Sequence, residues 1–168
     1  ALSDQEPQSQ TIPYRLATAL SGLGRTLADE GRLAEAEAAY SQSVEFLQRR
    51  RAAEPRDAAA GYQLAVTWHR FGNLLQRRGK QSEANAAWRR SVRACEALWA
   101  ANPDSVPICR ELGLLLMNLS VQQQQQGKDL WEADTAGADT ACRNSVAIFE
   151  WLLQAHPQDV DLQKGLAA

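Results

Sequence analysis

Apolar and small residues recur along this chain with the three- and four-residue spacing of an α-helix that buries one face. The first two stripes are Leu16, Leu20, Leu23 and Leu27, followed by Ala36, Tyr40, Ser43, Val44 and Leu47. Gly31 separates them, at a point where a helix C-terminus favours a residue that tolerates positive φ. Pro55 then ends the second helix. The pattern predicts a helical hairpin over residues 8–55 with both stripes buried.

The same pattern returns with a period of 48 residues. The period is clearest in glycines and prolines at matching positions, which are Gly31, Gly79 and Gly127, and Pro7, Pro55 and Pro103. Self-similarity at a fixed period is typical of a repeat array, in which each repeat packs against its neighbours. We therefore predict one repeat domain over residues 1–168. Its repeats are expected at approximately 8–55, 56–103 and 104–157, with a further helix starting in 158–168.

Seven positions of the second repeat show a packing order of large apolar residues and glycine on the first helix, then small, aromatic and small residues on the second. They are Trp68, Phe71, Gly72, Leu75, Ala84, Trp88 and Ser91, matched in the first repeat by Leu20, Leu23, Gly24, Leu27, Ala36, Tyr40 and Ser43. In this order and spacing the chain resembles the tetratricopeptide repeat family. The resemblance implies an all-α fold, a right-handed superhelical solenoid of about three hairpins and about six to seven helices.

The length of the repeat is the main departure from that family. A tetratricopeptide unit has about 34 residues, whereas this repeat has 48. The additional residues correspond to about four helical turns, and an equal share for each helix keeps both stripes in phase. We predict a long-helix variant of the repeat.

The third repeat differs from the other two. Ser120 replaces the glycine of the first helix, and Gln122–Gln126 form an uninterrupted polar run where a buried leucine is expected. This run is either a solvated last helical turn or a polar patch that faces a ligand. After Trp131, six additional residues of mainly small polar character predict a loop or a delayed helix start.

Both ends of the sequence resemble interrupted repeats. Glu6 and Pro7 mirror Glu54 and Pro55 and predict the tail of a preceding repeat, while 158–168 align with the start of a first helix. We therefore expect a segment of a longer protein. Exposed stripes at the ends of such an array would favour self-association.

The resemblance also implies a concave face lined by the first helix of each repeat. The expected partner-binding positions on this face are Ser21, Arg25, His69, Arg70, Asn73, Arg77, Met117, Asn118 and Val121. Asp29 falls on the same face of the first repeat. Independently of the family, His69, Asn73 and Gln76 share one helix face through their spacing. The alternative is that these are solvated groove residues without a ligand.

Asn73 and Asn118 occupy positions where relatives that bind the C-terminal carboxylates of heat-shock chaperones carry asparagine. The accompanying basic positions are not reproduced, because His69 stands where a lysine is needed. We therefore do not expect chaperone-tail binding.

The charge distribution favours an acidic partner. Between Arg49 and Arg93 the chain has eleven Lys or Arg and three acidic residues, a local net charge of +8. The remainder has seven basic and seventeen acidic residues, so the whole chain carries −2. Such a charge distribution favours binding to an acidic protein surface, or head-to-tail attraction between copies of this chain. It favours these over sequence-independent binding of nucleic acid. Ordinary solubility explains the basic patch about equally well.

Catalytic and cofactor chemistry have little basis in the sequence. His69 and His156 fall in different repeats, and the chain has no Gly-rich phosphate loop, HExxH motif or nucleophile elbow. Three cysteines without a CxxC pair disfavour a disulfide framework and a zinc site, which suggests buried thiols in a reducing compartment. We expect a protein that is not an enzyme and uses no cofactor or metal.

No apolar run approaches the roughly 18 residues of a membrane span, so we expect a cytoplasmic location without a membrane partner.

Two functions follow from these features. The first is a protein–protein interaction scaffold that binds an extended peptide or a helix of a partner in the concave groove. The second is a structural, regulatory or self-association segment of a larger multidomain bacterial signalling protein. Molecular mass measured by scattering at increasing protein concentration would distinguish them.

Overall fold

Four α-helices and the short turns between them make up residues 6–101, which the computed structural model describes together with the single positions 113, 115, 147, 150 and 154. The helices are α1 (Glu6–Asp29), α2 (Leu33–Ala53), α3 (Ala58–Arg77) and α4 (Gln81–Ala101). No strand occurs among these described residues. The prediction of an all-α fold is confirmed for this part of the chain.

The chain divides into two compact units, Ala1–Ala94 and Cys95–Ala168. The contacts described below all lie within the first unit. The predicted third repeat, including the Gln122–Gln126 run and the insertion after Trp131, lies outside the described residues, as does 158–168. The solenoid, its number of helices and the single repeat domain stay predictions.

The turns inside the two hairpins have the same backbone geometry one period apart. Gly31 follows α1 with φ of 80°, and Gly79 follows α3 with φ of 73°. The next amide in each turn donates back into the preceding helix over the same distance, from Arg32 to the Leu27 carbonyl and from Lys80 to the Leu75 carbonyl, both 2.9 Å. This hydrogen bond, which links residues five positions apart, is the one that defines a Schellman motif. Glycine adopts the positive φ of this motif without the strain that a side chain would cause. The predicted helix ends at both glycines are confirmed.

A buried hydroxyl ties the second helix of each hairpin to the first. Ser43 Oγ donates to the Ala17 carbonyl at 2.7 Å, and Ser91 Oγ donates to the Ala65 carbonyl at the same distance. Both serines are fully buried, so these bonds satisfy polar groups that water does not reach. The sequence period is therefore also a period of three-dimensional contacts.

Each hairpin also has an aromatic ring packed on a glycine of the facing helix. A Cβ added at Gly24 would lie 3.0 Å from Tyr40 Cδ1, and one at Gly72 would lie within 3.0 Å of three atoms of the Trp88 indole. Both aromatic side chains are only 2% exposed. The glycines thus allow α1 and α2, and α3 and α4, to approach closely at these points.

The predicted buried stripe is correct for α2 and partly wrong for α1. Every predicted stripe residue of α2 is buried, but Leu16 and Leu23 on α1 are 44% and 49% exposed. The exposure of these leucines depends on which helices pack beside α1. On α3 the position equivalent to Leu23 is Phe71, whose ring stacks on Tyr40 of α2 at 5.9 Å. Among the described residues, α1 has no preceding helix that covers it in the same way.

The start of α1 differs from the prediction that Glu6 and Pro7 form the tail of a preceding repeat. Glu6 and Pro7 begin α1, whereas Glu54 and Pro55 lie between α2 and α3. Proline is well accommodated in the first turn of a helix, where its missing N–H has no intrahelical partner to lose. The same dipeptide therefore starts one helix and follows the end of another.

The loop between the hairpins is fixed by two side chains of opposite charge. Asp57 caps α3 by accepting a hydrogen bond from the Ala60 amide at 2.9 Å, and its other oxygen accepts from Arg50 Nε of α2. Burial alone would raise the pKa of Asp57, but the hydrogen bonds from the Ala60 amide and the Arg50 guanidinium lower that pKa below its usual value. Asp57 thus connects α2 to the start of α3.

Replacing this cap should destabilise the protein measurably. We expect Asp57→Ala to lower the free energy of unfolding by about 1–2 kcal/mol, because it removes both the cap and the partner of a partly buried arginine. Urea titration followed by circular dichroism measures the loss.

Asp57→Asn is the matched control, because asparagine caps helices well but cannot pair with Arg50 as an anion. We expect it to cost less than Asp57→Ala. In the native protein the contribution of Asp57 is complete above the ordinary carboxyl pKa and is lost as the pH falls through the lowered one. Equal acid sensitivity in the native protein and in Asp57→Asn would contradict this assignment.

Candidate partner-binding cleft

A cleft of about 240 Å³ opens where α1, α2 and α3 meet. Charged and polar side chains form much of its wall, over an apolar floor. The lining residues are Arg25, Ala28 and Asp29 from α1, Tyr40 from α2, and Arg70, Asn73, Leu74 and Arg77 from α3. All of them lie within the first compact unit.

Helical spacing explains why these residues share one cleft. On α1, Arg25 and Asp29 are one turn apart, and on α3 Arg70, Asn73 and Arg77 follow one another at successive turns. One sequence period separates Arg25 from Asn73 and also Asp29 from Arg77. The cleft therefore lies between equivalent positions of two neighbouring repeats.

Four of the predicted partner-binding residues line this cleft, namely Arg25, Arg70, Asn73 and Arg77. Ser21 is instead fully buried, and its hydroxyl accepts a hydrogen bond from Thr67 Oγ1 at 3.1 Å. His69 is partly buried on α3 and is not part of the cleft wall. The remaining predicted positions, Met117, Asn118 and Val121, lie outside the described residues.

The side chain of Asn73 is held in place by a hydrogen bond from α4. Its Oδ1 accepts a hydrogen bond from Trp88 Nε1 of α4 at 3.0 Å. Trp88 is itself buried against Gly72. The ring that closes the second hairpin thus also orients a residue of the cleft. Sequence reasoning assigned Trp88 to the core alone, and no spacing pattern indicates the bond of its indole N–H.

The arginines of the cleft form no ion pair with the described side chains, whereas five other basic residues do. Several basic side chains form ion pairs, namely Arg32 with Glu30 and Glu35, Arg49 with Glu45, Arg50 with Glu54 and Asp57, Arg78 with Glu37, and Lys80 with Glu37 and Glu83. No ion pair among the side chains of residues 14–101 includes Arg25, Arg70 or Arg77. Their positive charges are therefore available to a ligand.

Tyr40 adds a polar atom to the floor of the cleft. Its side chain is only 2% exposed, and no hydrogen bond within residues 6–101 involves its hydroxyl. Burial raises the pKa of Tyr40, while the charges of Arg70, Asp29 and Arg25 act on the same hydroxyl. The hydroxyl thus lies close to the charged wall. Sequence reasoning placed Tyr40 in the core from its spacing and could not detect this second role.

The electrostatic character of the cleft favours anions. Three arginines and one aspartate leave a net charge of +2 around a small opening. Guanidinium groups match the planar fork of carboxylates and phosphates, and a cleft with low-dielectric protein around it strengthens such pairs relative to bulk water. The cleft can therefore bind and orient a negatively charged group.

A second, wider depression of about 690 Å³ lies at the loop between α2 and α3. Its lining residues are Arg50, Glu54, Pro55, Arg56 and Asp57. Arg50 pairs there with both Glu54 and Asp57, so the main charges neutralise one another. This depression is better explained as part of the loop structure than as a ligand site.

Cys95 is fully buried, and burial raises the pKa of its thiol to about 12, which makes it a poor nucleophile at neutral pH. No group of three or more His, Cys, Asp or Glu side chains in this part of the chain could hold a metal ion. Among the described helices, none combines the length and apolar character needed to cross a bilayer.

Comparison with protein-family models and with curated proteins finds no match to this chain. What the protein does must therefore be inferred from its own residues and their geometry.

Proposed function

We propose that this chain is a tetratricopeptide-like scaffold that binds an acidic extended segment or helix of a protein partner at the cleft between α1 and α3. The observation that carries the proposal is the convergence of Arg25, Arg70 and Arg77 on one cleft without ion-pair partners among the side chains of residues 14–101. Among the other basic residues in this range, Arg32, Arg49, Arg50, Arg78 and Lys80 pair with carboxylates. The protein acts by holding a partner, without catalysis, cofactor or metal.

The helical framework supports this function. Arg25, Arg70 and Arg77 are carried on two helices that pack on α2, and Asn73 is oriented by Trp88. A rigid platform lowers the entropy lost when a partner binds. The asparagine amide suits backbone groups of an extended peptide, while the guanidinium groups suit its carboxylates.

A second function is favoured by a different observation. Leu16 and Leu23 are about half exposed on α1, whereas Phe71, the equivalent of Leu23 on α3, stacks on Tyr40 of α2. An apolar face of this kind fits a self-association or structural segment of a larger bacterial signalling protein. Replacing both leucines with glutamine should abolish any rise of scattering mass with concentration, and should leave acidic-peptide binding unchanged.

The cleft can be tested with single arginine variants. We expect Arg25→Ala and Arg77→Ala each to weaken binding of a pool of Asp- and Glu-rich peptides by about tenfold or more, because each removes a charge-assisted contact. Fluorescence anisotropy with labelled peptides measures the dissociation constants, and binding should weaken further as salt is raised.

Arg49→Ala is the matched control. Arg49 is a largely exposed α2 arginine that pairs with Glu45 and does not line the cleft. We expect it to leave peptide affinity within about twofold of the native value, because a surface ion pair contributes little. Equal losses in Arg49→Ala and Arg77→Ala would show general charge attraction and would remove the cleft as the binding site.

A further inference from the structure

The Tyr40 hydroxyl is the least explained polar group of the cleft. It lies on a side chain that is 2% exposed, and no hydrogen bond within residues 6–101 satisfies it. A buried hydroxyl without a partner is costly, and native proteins rarely retain one without a reason. Its place at the floor of a cleft with three arginines that form no ion pair with the described side chains suggests that a ligand supplies the missing partner.

The second repeat differs from the first at the position equivalent to Tyr40. There Trp88 replaces Tyr40, and its indole N–H is bonded to Asn73. One period earlier, Arg25 stands in the place of Asn73, and a guanidinium has no acceptor for the Tyr40 proton. The second repeat therefore has a donor, Trp88, bonded to its acceptor, Asn73. At the equivalent positions of the first repeat, Tyr40 and Arg25 are both donors. Although the Asp29 carboxylate also lines the cleft, neither donor is hydrogen-bonded to it, so an external acceptor fits both.

The charge of the cleft indicates which acceptor fits best. A single carboxylate would neutralise half of its net charge of +2. A phosphorylated side chain carries about −1.5 to −2 at neutral pH and presents three strong acceptor oxygens. That number of oxygens suits several guanidinium groups and one hydroxyl better than the two oxygens of a carboxylate do. The cleft volume of about 240 Å³ is of a suitable size for one such group rather than a whole peptide.

We propose that the cleft recognises a phosphorylated side chain of the partner, with the phosphoryl group held by Arg25, Arg70 and Arg77 and accepting a hydrogen bond from the Tyr40 hydroxyl. This inference rests on the proposed function, since it names the group that anchors the bound segment. It does not require the basic positions of the chaperone-tail binders, which this sequence lacks. Asp29, on the edge of the same cleft, disfavours ligands with further negative charge beside the phosphoryl group.

The test uses arrays of peptides that differ only at the central residue, which is serine, glutamate or phosphoserine. We expect the full chain to bind the phosphoserine series at least about tenfold more tightly than the glutamate series. Tyr40→Phe should reduce this preference by about tenfold, because it removes the hydroxyl and keeps the ring on Gly24 and Phe71. Arg70→Lys keeps the charge but loses the planar fork, and should also reduce it.

The outcomes separate this inference from the function on which it rests. If glutamate and phosphoserine peptides bind equally and both need Arg77, the phosphoryl inference fails and the scaffold proposal stands. If no acidic peptide binds, the proposed function itself fails. Competition by inorganic phosphate as strong as that of the phosphopeptide would show a free-anion site and overturn recognition of a protein side chain. A phosphoserine preference unchanged in Tyr40→Phe would remove the hydroxyl from the site.

Discussion

Trp88→Ala should lower the free energy of unfolding by about 3–5 kcal/mol, the largest stability effect that we expect of a single substitution in this chain. Trp88 is 2% exposed, rests on Gly72 and donates a hydrogen bond to Asn73 at 3.0 Å. Truncation leaves a cavity between α3 and α4 and an asparagine oxygen without its donor. Chemical denaturation followed by circular dichroism measures the loss.

Trp88→Phe separates the two contributions. Phenylalanine keeps most of the apolar volume but has no N–H for Asn73, so we expect a cost of about 1–2 kcal/mol, less than half that of alanine. The same variant should weaken acidic-peptide binding, because Asn73 is no longer held in the cleft. A Trp88→Ala protein as stable as the native one would mean that the predicted register of the second repeat is incorrect.

Gly72→Ala should be the second most destabilising change, at about 1–3 kcal/mol, although alanine is the better helix former. The added methyl would lie within 3.0 Å of Trp88 Nε1, Cδ1 and Cε2. The indole cannot yield easily, because it is buried and bonded to Asn73. Thermal unfolding of the variant beside the native protein gives the change in stability.

Two other glycines serve as graded controls for this prediction. At Gly24 the nearest Tyr40 atoms lie at 3.0–3.1 Å, so Gly24→Ala should cost less than Gly72→Ala. At Gly22 nothing lies within 4 Å, and Gly22→Ala should stabilise α1 by about 0.5–1 kcal/mol. A destabilised Gly22→Ala protein would show that helix crowding is not the reason for these glycines.

Periodicity predicted the local structure of this chain well. The two turn glycines, the buried stripe of α2 and the close contacts at Gly24 and Gly72 all follow from spacing that repeats after 48 residues. These features depend on residues within one hairpin, where sequence separation and spatial distance are closely linked. Four cleft residues were also predicted, because their positions follow from the face of a helix.

Features that depend on contacts between hairpins could not be predicted in this way. Glu37 binds Arg78 and Lys80, more than forty positions along the chain, and no pattern marks such pairs in advance. These ion pairs neutralise Arg78 and Lys80, so neither charge remains available to a ligand. The exposure of Leu16 and Leu23 has a similar origin, since it depends on which helices lie beside α1.

The equivalence of Arg25 with Asn73, and of Asp29 with Arg77, has an evolutionary consequence. Arg25, Asp29 and Arg77 belong neither to the buried stripes nor to the glycine contacts that hold the hairpins together, whereas Asn73 also accepts the hydrogen bond from Trp88. A duplication that adds a repeat would add a cleft as well, and the new cleft could acquire a different ligand by changing only such positions. Ligand choice in this architecture can therefore diverge from one repeat to the next at little cost to folding.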